Sequence, residues 1–282
     1  MEGGTMESYM NRISNTGIVP VVKILEKEDA YPLAKALLNG GIDVIEVTYR
    51  SEHATSAIQT ISEQLPDMLV GAGTVLSVEQ AKEAVEAGAK FIITPGFNTK
   101  VVQWCLDHDV EVYPGVSTAS EVEMALSMGL TQLKFFPAES SGGAKKLKDL
   151  SAPYANVHFM PTGGINTKNM HDYLSLPNVE AIGGSFMLPN DLVVAKDWDG
   201  IEALSRSAIK SLLDFQLIHV GINTNSPEES KQVTDTLCSL FHFTQYTKPK
   251  SNFAGVGFEI LHKKGRGENG LSLIHISEPT RH

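Results

Sequence analysis

Gln132-Leu133-Lys134-Phe135-Phe136-Pro137-Ala138-Glu139 sets a lysine inside an apolar run. Residues 132–136 read as a buried strand, and Pro137, which has no N–H to give a ladder, ends it. An ammonium in such a strand is costly to desolvate, so the side chain is expected to spend part of its time as a neutral amine. A neutral amine is a nucleophile, and its natural target is a carbonyl. The plainer alternative is a strand-end lysine with its head in water. The rest of the chain separates the two.

Outward from this strand, short β-branched runs alternate with amphipathic ones. Strands are predicted at 18–24, 44–48, 69–72, 91–94, 111–114, 132–136, 158–161 and 181–182. Helices are predicted at 29–38, 54–64, 78–87, 100–108, 119–128, 144–150 and 168–174, with a last one over 199–213. Strict alternation implies parallel strands. About eight βα units in roughly 200 residues predict an α/β chain folded as a (β/α)₈ TIM barrel. The rival, an open doubly wound sheet, lacks support: no Gly-x-Gly-x-x-Gly follows the first strand.

Composition narrows the function. The 282 residues are 42% hydrophobic and 20% charged, with a formal net charge of −10. That balance is ordinary for a soluble globular protein, and a nucleic-acid partner is not expected. No stretch approaches the roughly 20 apolar residues of a membrane helix. The first residues carry acid where a signal peptide carries base. Cys105 and Cys238 are far apart and lack metal-type spacing, which fits a reducing cytoplasm.

A barrel carries its chemistry where the strands end. Glu46 lies between Ile45 and Val47 and so faces the opposite way, which in a barrel means inward. A carboxylate there is either functional or paired. Beside Lys134 it would move protons; as a structural residue it would simply pair with Lys134 or Arg50. Gly163-Gly164 and Gly183-Gly184-Ser185 fall after strands seven and eight, where this fold often holds a phosphate. Arg50 suits a substrate carboxylate through its planar fork, and Thr74 adds a hydroxyl. Lys23 competes as nucleophile, but Glu26, Lys27 and Glu28 suggest a wetter place. His158 and His171 have no ligand spacing around them, and no carboxylate–histidine metal set stands at the strand ends.

Five segments together resemble one family. They are Val44-Ile45-Glu46-Val47-Thr48-Tyr49-Arg50, Gly71-Ala72-Gly73-Thr74-Val75, Lys134 through Glu139, Pro161-Thr162-Gly163-Gly164-Ile165, and Ile182-Gly183-Gly184-Ser185. They look like the signature segments of the 2-keto-3-deoxy-6-phosphogluconate (KDPG) and 4-hydroxy-2-oxoglutarate aldolases. The resemblance implies a cytoplasmic, homotrimeric class I carbon–carbon lyase with neither metal nor cofactor. It implies a sugar-acid pathway of the Entner–Doudoroff kind and a phosphorylated 2-keto acid as substrate. It puts the Schiff-base lysine at Lys134 and the acid/base at Glu46. The pyruvyl pocket falls on Arg50, Thr74, Pro95, Phe136 and Thr162, and the phosphate site on Gly163, Gly164, Gly184 and Ser185. Tyr49 stands where leucine is commoner in the family. The 6-phosphogalactonate epimer is the alternative substrate, and a noncatalytic barrel is the reading from another class.

The resemblance covers about residues 10–213, and a first domain is expected over 8–213. Residues 215–270 form a β-α-β-β pattern, with strands predicted at 215–222, 241–246 and 256–261 and a helix at 228–240, similar to one module of the glyoxalase (vicinal-oxygen-chelate) superfamily and predicted as a partial α+β module. His219 matches that superfamily's first metal-binding position and Glu259 is a second candidate, but further ligands are missing. A structural role for His219 is therefore expected. Residues 271–282 resemble translated adapter sequence and are expected to be a non-native tail.

Overall fold

The computed structural model describes residues 8–213, 215–265 and 270–276. The acidic N-terminal segment and residues 277–282 lie outside them. The chain divides into two compact units between Leu212 and Leu213.

The first unit is a curled parallel sheet wrapped by helices. Its strands are β1 (Ile18–Val22), β2 (Val44–Thr48), β3 (Leu69–Gly73), β4 (Phe91–Ile93), β5 (Glu111–Tyr113), β6 (Gly115–Val116), β7 (Gln132–Phe135), β8 (His158–Pro161) and β9 (Ile182–Gly184). Its helices are α1 (Tyr9–Thr16), α2 (Ala30–Asn39), α3 (Ala54–Gln64), α4 (Val78–Glu86), α5 (Thr99–Asp107), α6 (Ala119–Ser127), α7 (Gly143–Ser151), α8 (Met170–Leu174), α9 (Asn190–Ala195) and α10 (Trp198–Leu213). The strands pair in two ladders, β5-β4-β3-β2-β1-β9 and β6-β7-β8. Isolated parallel bridges join Phe159 to Val179 and Thr162 to Gly183.

Two apolar layers hold this unit together. Between helices and sheet lie Ile18, Val22, Leu33, Leu37, Ile45, Val47, Ile58, Ile61, Leu133, Phe135, Phe159 and many others, all buried. Each such side chain contributes about 1.5–3 kcal/mol. A second cluster gathers Val19, Val44, Leu69, Phe91, Ile93, Tyr113, Met160 and Ala181 with Met10 and Ile13 of α1. Strand residues therefore alternate between the two layers, as a two-residue period requires. Helix α1 was not predicted. It plugs the sheet where the strands start, and the Tyr9 N–H donates to Glu111 Oε1 at 2.9 Å.

The second unit holds β10 (Phe215–Asn223), α11 (Pro227–Phe241), β11 (Gln245–Lys248), β12 (Ser251–Ala254), β13 (Phe258–Leu261) and β14 (Gly270–Ile276). The sheet order is β11-β12-β13-β10-β14, with β10 parallel to β13. Two expectations differ here. The predicted strand over 241–246 is instead the end of α11 followed by β11, because the helix continues through Phe241 and stops at His242 in the left-handed region. The predicted strand over 256–261 starts only at Phe258, since Gly255 has φ +58° and Val256 is exposed in a turn. Residues 271–276, set aside by sequence reasoning, belong to a strand paired antiparallel with β10. Among the described residues no helix is long and apolar enough to cross a membrane.

His219 Nε2 lies 2.7 Å from Glu259 Oε2, at ion-pair distance. Among the described residues no third His, Cys, Asp or Glu gathers with them.

Candidate active site

Lys134 and Glu46 meet inside the first unit. Lys134 Nζ donates to Glu46 Oε1 at 3.1 Å and to Oε2 at 3.3 Å. Lys134 is 4% exposed and Glu46 is fully buried. They reach each other because β2 and β7 both turn these side chains to the concave side. Register puts Glu46 beside Gly71 and Lys134 between Gly115 and Met160. Burying two charges costs several kcal/mol each, and only close mutual pairing offsets that. The Lys134 ammonium also lies over the Phe136 ring, 5.4 Å from its centroid.

Gly73 makes the pair possible. A Cβ there would fall 2.0 Å from Glu46 Oε1 and 2.4 Å from its Cγ. No residue but glycine leaves the carboxylate that space. Sequence reasoning did not single Gly73 out, although a glycine at a strand's C-terminal end is a recognisable sign of close approach. The next residue, Thr74, adopts φ +55°. A β-branched residue is strained in that region, and such strain clusters at functional sites.

The other predicted residues stand at the same strand ends. Arg50 is exposed, two residues past β2, and its Nε donates to Thr48 Oγ1 at 3.1 Å. Thr48 in turn donates to Val22 O at 2.7 Å, so the arginine is anchored to β1 through one hydroxyl. Pro95 follows β4, and its carbonyl would meet a Cβ on Gly115 at 2.3 Å, which places it against the neighbour of Lys134. Thr162 Oγ1 is buried and has no hydrogen-bond partner among the described residues. Gly163 packs on Phe136, and Gly183 on Thr162. Gly184 ends β9, and Ser185 follows it exposed. Arg50, Thr74 and Ser185 make no hydrogen bond to Lys134 or Glu46; they stand around the pair rather than on it.

Residues weighed as rivals are engaged elsewhere or exposed. Lys23 is exposed just past β1. His158 Nδ1 lies 2.7 Å from Glu180, and His171 Nε2 is 2.8 Å from Ser211 O. Cys105 is a buried free thiol, and burial pushes its pKa up to about 12.

Residues 9–204 match the family model described as KDPG and KHG aldolase. The chain belongs to that family. A 2-dehydro-3-deoxy-phosphogluconate aldolase of Treponema pallidum is 44% identical over 205 residues, covering 73% of this chain and 98% of its own. Among solved structures, the KDPG aldolase of Legionella pneumophila, with pyruvate captured at low pH as a covalent carbinolamine intermediate, is similar with TM-score 0.69 and 39% identity. It covers 72% of this chain and 99% of its own. The enzyme of Zymomonas mobilis with 3-phosphoglycerate gives TM-score 0.66 and 36% identity, covering 71% and 94%. The KDPG/KHG aldolase match ends before the second unit begins.

Proposed function

We propose that the protein is a Schiff-base aldolase. It cleaves 2-dehydro-3-deoxy-6-phospho-D-gluconate to pyruvate and D-glyceraldehyde 3-phosphate, and 4-hydroxy-2-oxoglutarate to pyruvate and glyoxylate. The observation that carries this reading is the buried Lys134–Glu46 pair, 3.1 and 3.3 Å apart, in a chain of this family.

Glu46 takes a proton from the Lys134 ammonium, and the free amine attacks the C2 carbonyl of the keto acid. Glu46 then returns protons as the carbinolamine loses water to give an iminium ion. The iminium is the electron sink. With a water as relay, Glu46 removes the C4 hydroxyl proton, the C3–C4 bond breaks, and its electrons form an enamine. The aldehyde leaves. Protonation at C3 gives the pyruvate imine, and hydrolysis restores Lys134. Arg50, Thr74, Pro95 and Thr162 form the pyruvyl pocket beside Phe136, and Gly163, Gly164, Gly184 and Ser185 hold the phosphate. The unpartnered Thr162 hydroxyl supports this, because a buried donor without a partner is costly unless a ligand fills the role.

Three finer readings accompany it. The two ladders form one closed eight-stranded barrel: only Pro114 separates β5 from β6, and the Thr162–Gly183 bridge links β8 to β9. The working protein is a cytoplasmic homotrimer, by likeness to its family. The second unit is a glyoxalase-type βαβββ module, supported by its β10–β13 parallel pairing, with His219 and Glu259 as a structural pair.

Pyruvate with borohydride tests the chemistry. The expected result is a covalent adduct found by mass spectrometry on Lys134, together with cleavage of the gluconate rather than the galactonate epimer. An adduct on another lysine would sink the assignment.

A further inference from the structure

The loop after β8 is held from two sides. On one side, the Ala138 N–H donates to Thr162 O at 2.8 Å and the Glu139 N–H to Gly163 O at 3.1 Å. On the other, Asn169 Nδ2 donates to Gly164 O at 3.1 Å and Asn166 Nδ2 to the same oxygen at 3.4 Å. The carbonyl and N–H of one trans peptide point in opposite directions. With Gly163 O turned to Glu139, the Gly164 N–H is turned away from it, on the side where β9 ends in Gly184-Ser185. That N–H has no hydrogen-bond partner among the described residues.

The side chain of Glu139 sets the height of this loop. Gly164 has φ +81°, and a Cβ on it would lie 2.6 Å from Glu139 Cγ and 2.8 Å from Glu139 Cβ. The glutamate stem is thus packed directly under the glycine. Its carboxylate is drawn off by Tyr173 of α8, whose hydroxyl donates to Glu139 Oε1. Tyr173 is 1% exposed, so its ring cannot shift freely. Burial and the neighbouring carboxylate raise the phenol's pKa, so it stays a donor. Gly143, at the start of α7, closes the third side: a Cβ there would be 3.4 Å from the Tyr173 oxygen and 3.5 Å from Glu139 Oε1.

We propose that Glu139 and Tyr173 are positioning residues that fix the Gly164 N–H for the substrate phosphate, and so set the preference for phosphorylated over unphosphorylated 2-keto acids. The inference rests on the phosphate site of the preceding reading. Neither residue touches the phosphate. Tyr173 keeps the Glu139 carboxylate turned from the anion, and the glutamate stem keeps the glycine backbone in place. Losing the phenol hydroxyl frees a negative charge and a loop together, and both effects weaken phosphate binding while leaving Lys134 and Glu46 as they are.

Steady-state kinetics of Tyr173→Phe, Glu139→Ala and Glu139→Gln on 2-dehydro-3-deoxy-6-phosphogluconate and on its dephosphorylated form test this. For Tyr173→Phe and Glu139→Ala, KM for the phosphorylated substrate is expected to rise about tenfold with kcat within about twofold. Cleavage of the dephosphorylated substrate should stay at the wild-type level. Glu139→Gln keeps an acceptor oxygen for the phenol and should restore the wild-type KM. An equal loss on both substrates, or an unchanged KM for the phosphorylated one in both variants, would overturn the proposal. A wild-type enzyme that cleaves the two substrates equally well would overturn the phosphate site itself, and the inference with it.

Discussion

The two units bury polar groups in opposite ways. The first wraps a charged pair, Lys134 and Glu46, in a thick apolar core. Over residues 219–265 of the second, the buried apolar side chains are Phe253, Ala254 and Ile260. Around them it places a neutral network: Ser230 Oγ donates to Ile260 O at 2.8 Å, Asn252 Nδ2 donates to Ser230 Oγ at 3.0 Å, and Thr234 Oγ1 donates to Ser230 O at 2.7 Å. A neutral network that is fully bonded costs little and specifies how helix and sheet fit. A buried ion pair is weak evidence for stability, since two well-packed apolar groups often do as well. The first unit can carry that cost because its apolar core is large. On the proposed reading the charge is there for chemistry, whereas the polar groups of the second unit join helix to sheet.

The largest expected effect breaks the charged pair. Lys134→Met should abolish cleavage and the pyruvate–borohydride adduct, a loss of at least about 10³-fold in kcat. It should also destabilise the first unit by about 3–5 kcal/mol, because Glu46 is left buried without its partner. Adding Glu46→Gln removes that orphaned charge. The double variant should recover most of the stability by denaturant unfolding yet stay inactive. A double variant as unstable as the single one would make the pair a structural element.

Ser230→Ala strikes the neutral network instead. It strips Asn252 of an acceptor and Ile260 of a donor, and it should lower the stability of the second unit by about 1–3 kcal/mol. Catalysis should not change. Hydrogen exchange, which reads the two units separately, should show lost protection confined to α11, β12 and β13. Loss spread through the first unit would mean that the two cores are not independent.

The smallest effect concerns a device both units share. Helix α6 opens with Thr118 and Glu121 in a reciprocal capping box, and α11 opens with Ser226 while Glu229 reaches back to the Asn225 N–H at 2.7 Å. Burial pushes the Glu121 pKa up, but hydrogen bonds from Ser117 and Thr118 bring it below its ordinary value of 4.5. A lowered folded value means a contribution that is complete above the unfolded pKa and lost as pH falls through the folded one. Glu121→Gln should therefore cost about 1 kcal/mol near neutral pH and progressively less below about pH 4.5. Thermal melts across that range check it. A cost that does not change with pH would assign the effect to shape rather than charge.

Much of the first unit is legible from residue order because its local signals agree. The βα alternation, the polar residues Ser77 and Thr118 that cap α4 and α6, and the odd placement of Lys134 all point one way. Glu46 was readable because alternation along β2 leaves it no exposed face. The second unit is less legible because its signals conflict. Phe241 and Phe243 carry strand propensity, yet Phe241 completes a helix turn. Val256 is apolar but stands in a turn. Helix α1 buries only Met10 and Ile13, too few to show a period. The hold of Tyr173 on Glu139 joins residues on separate elements, and no local pattern announces a contact of that kind. Gly73 was quoted within a motif, but its reason, the room it leaves for Glu46, exists only once β2 and β3 lie side by side.

Helix α1 has a consequence for traffic through the site. In the proposed closed barrel, Met10 and Ile13 stop the end where the strands begin, so reactants and products would share the doorway at the other end. In the proposed reaction pyruvate, tied to Lys134 after the carbon–carbon bond breaks, would sit deepest in that passage. The aldehyde lies between it and the exit. Hydrolysis needs a water to come in past the same point, so the aldehyde must leave before the pyruvate can be freed. A plug at the strand-start end of the first unit would thereby turn the proposed two-product reaction into a queue.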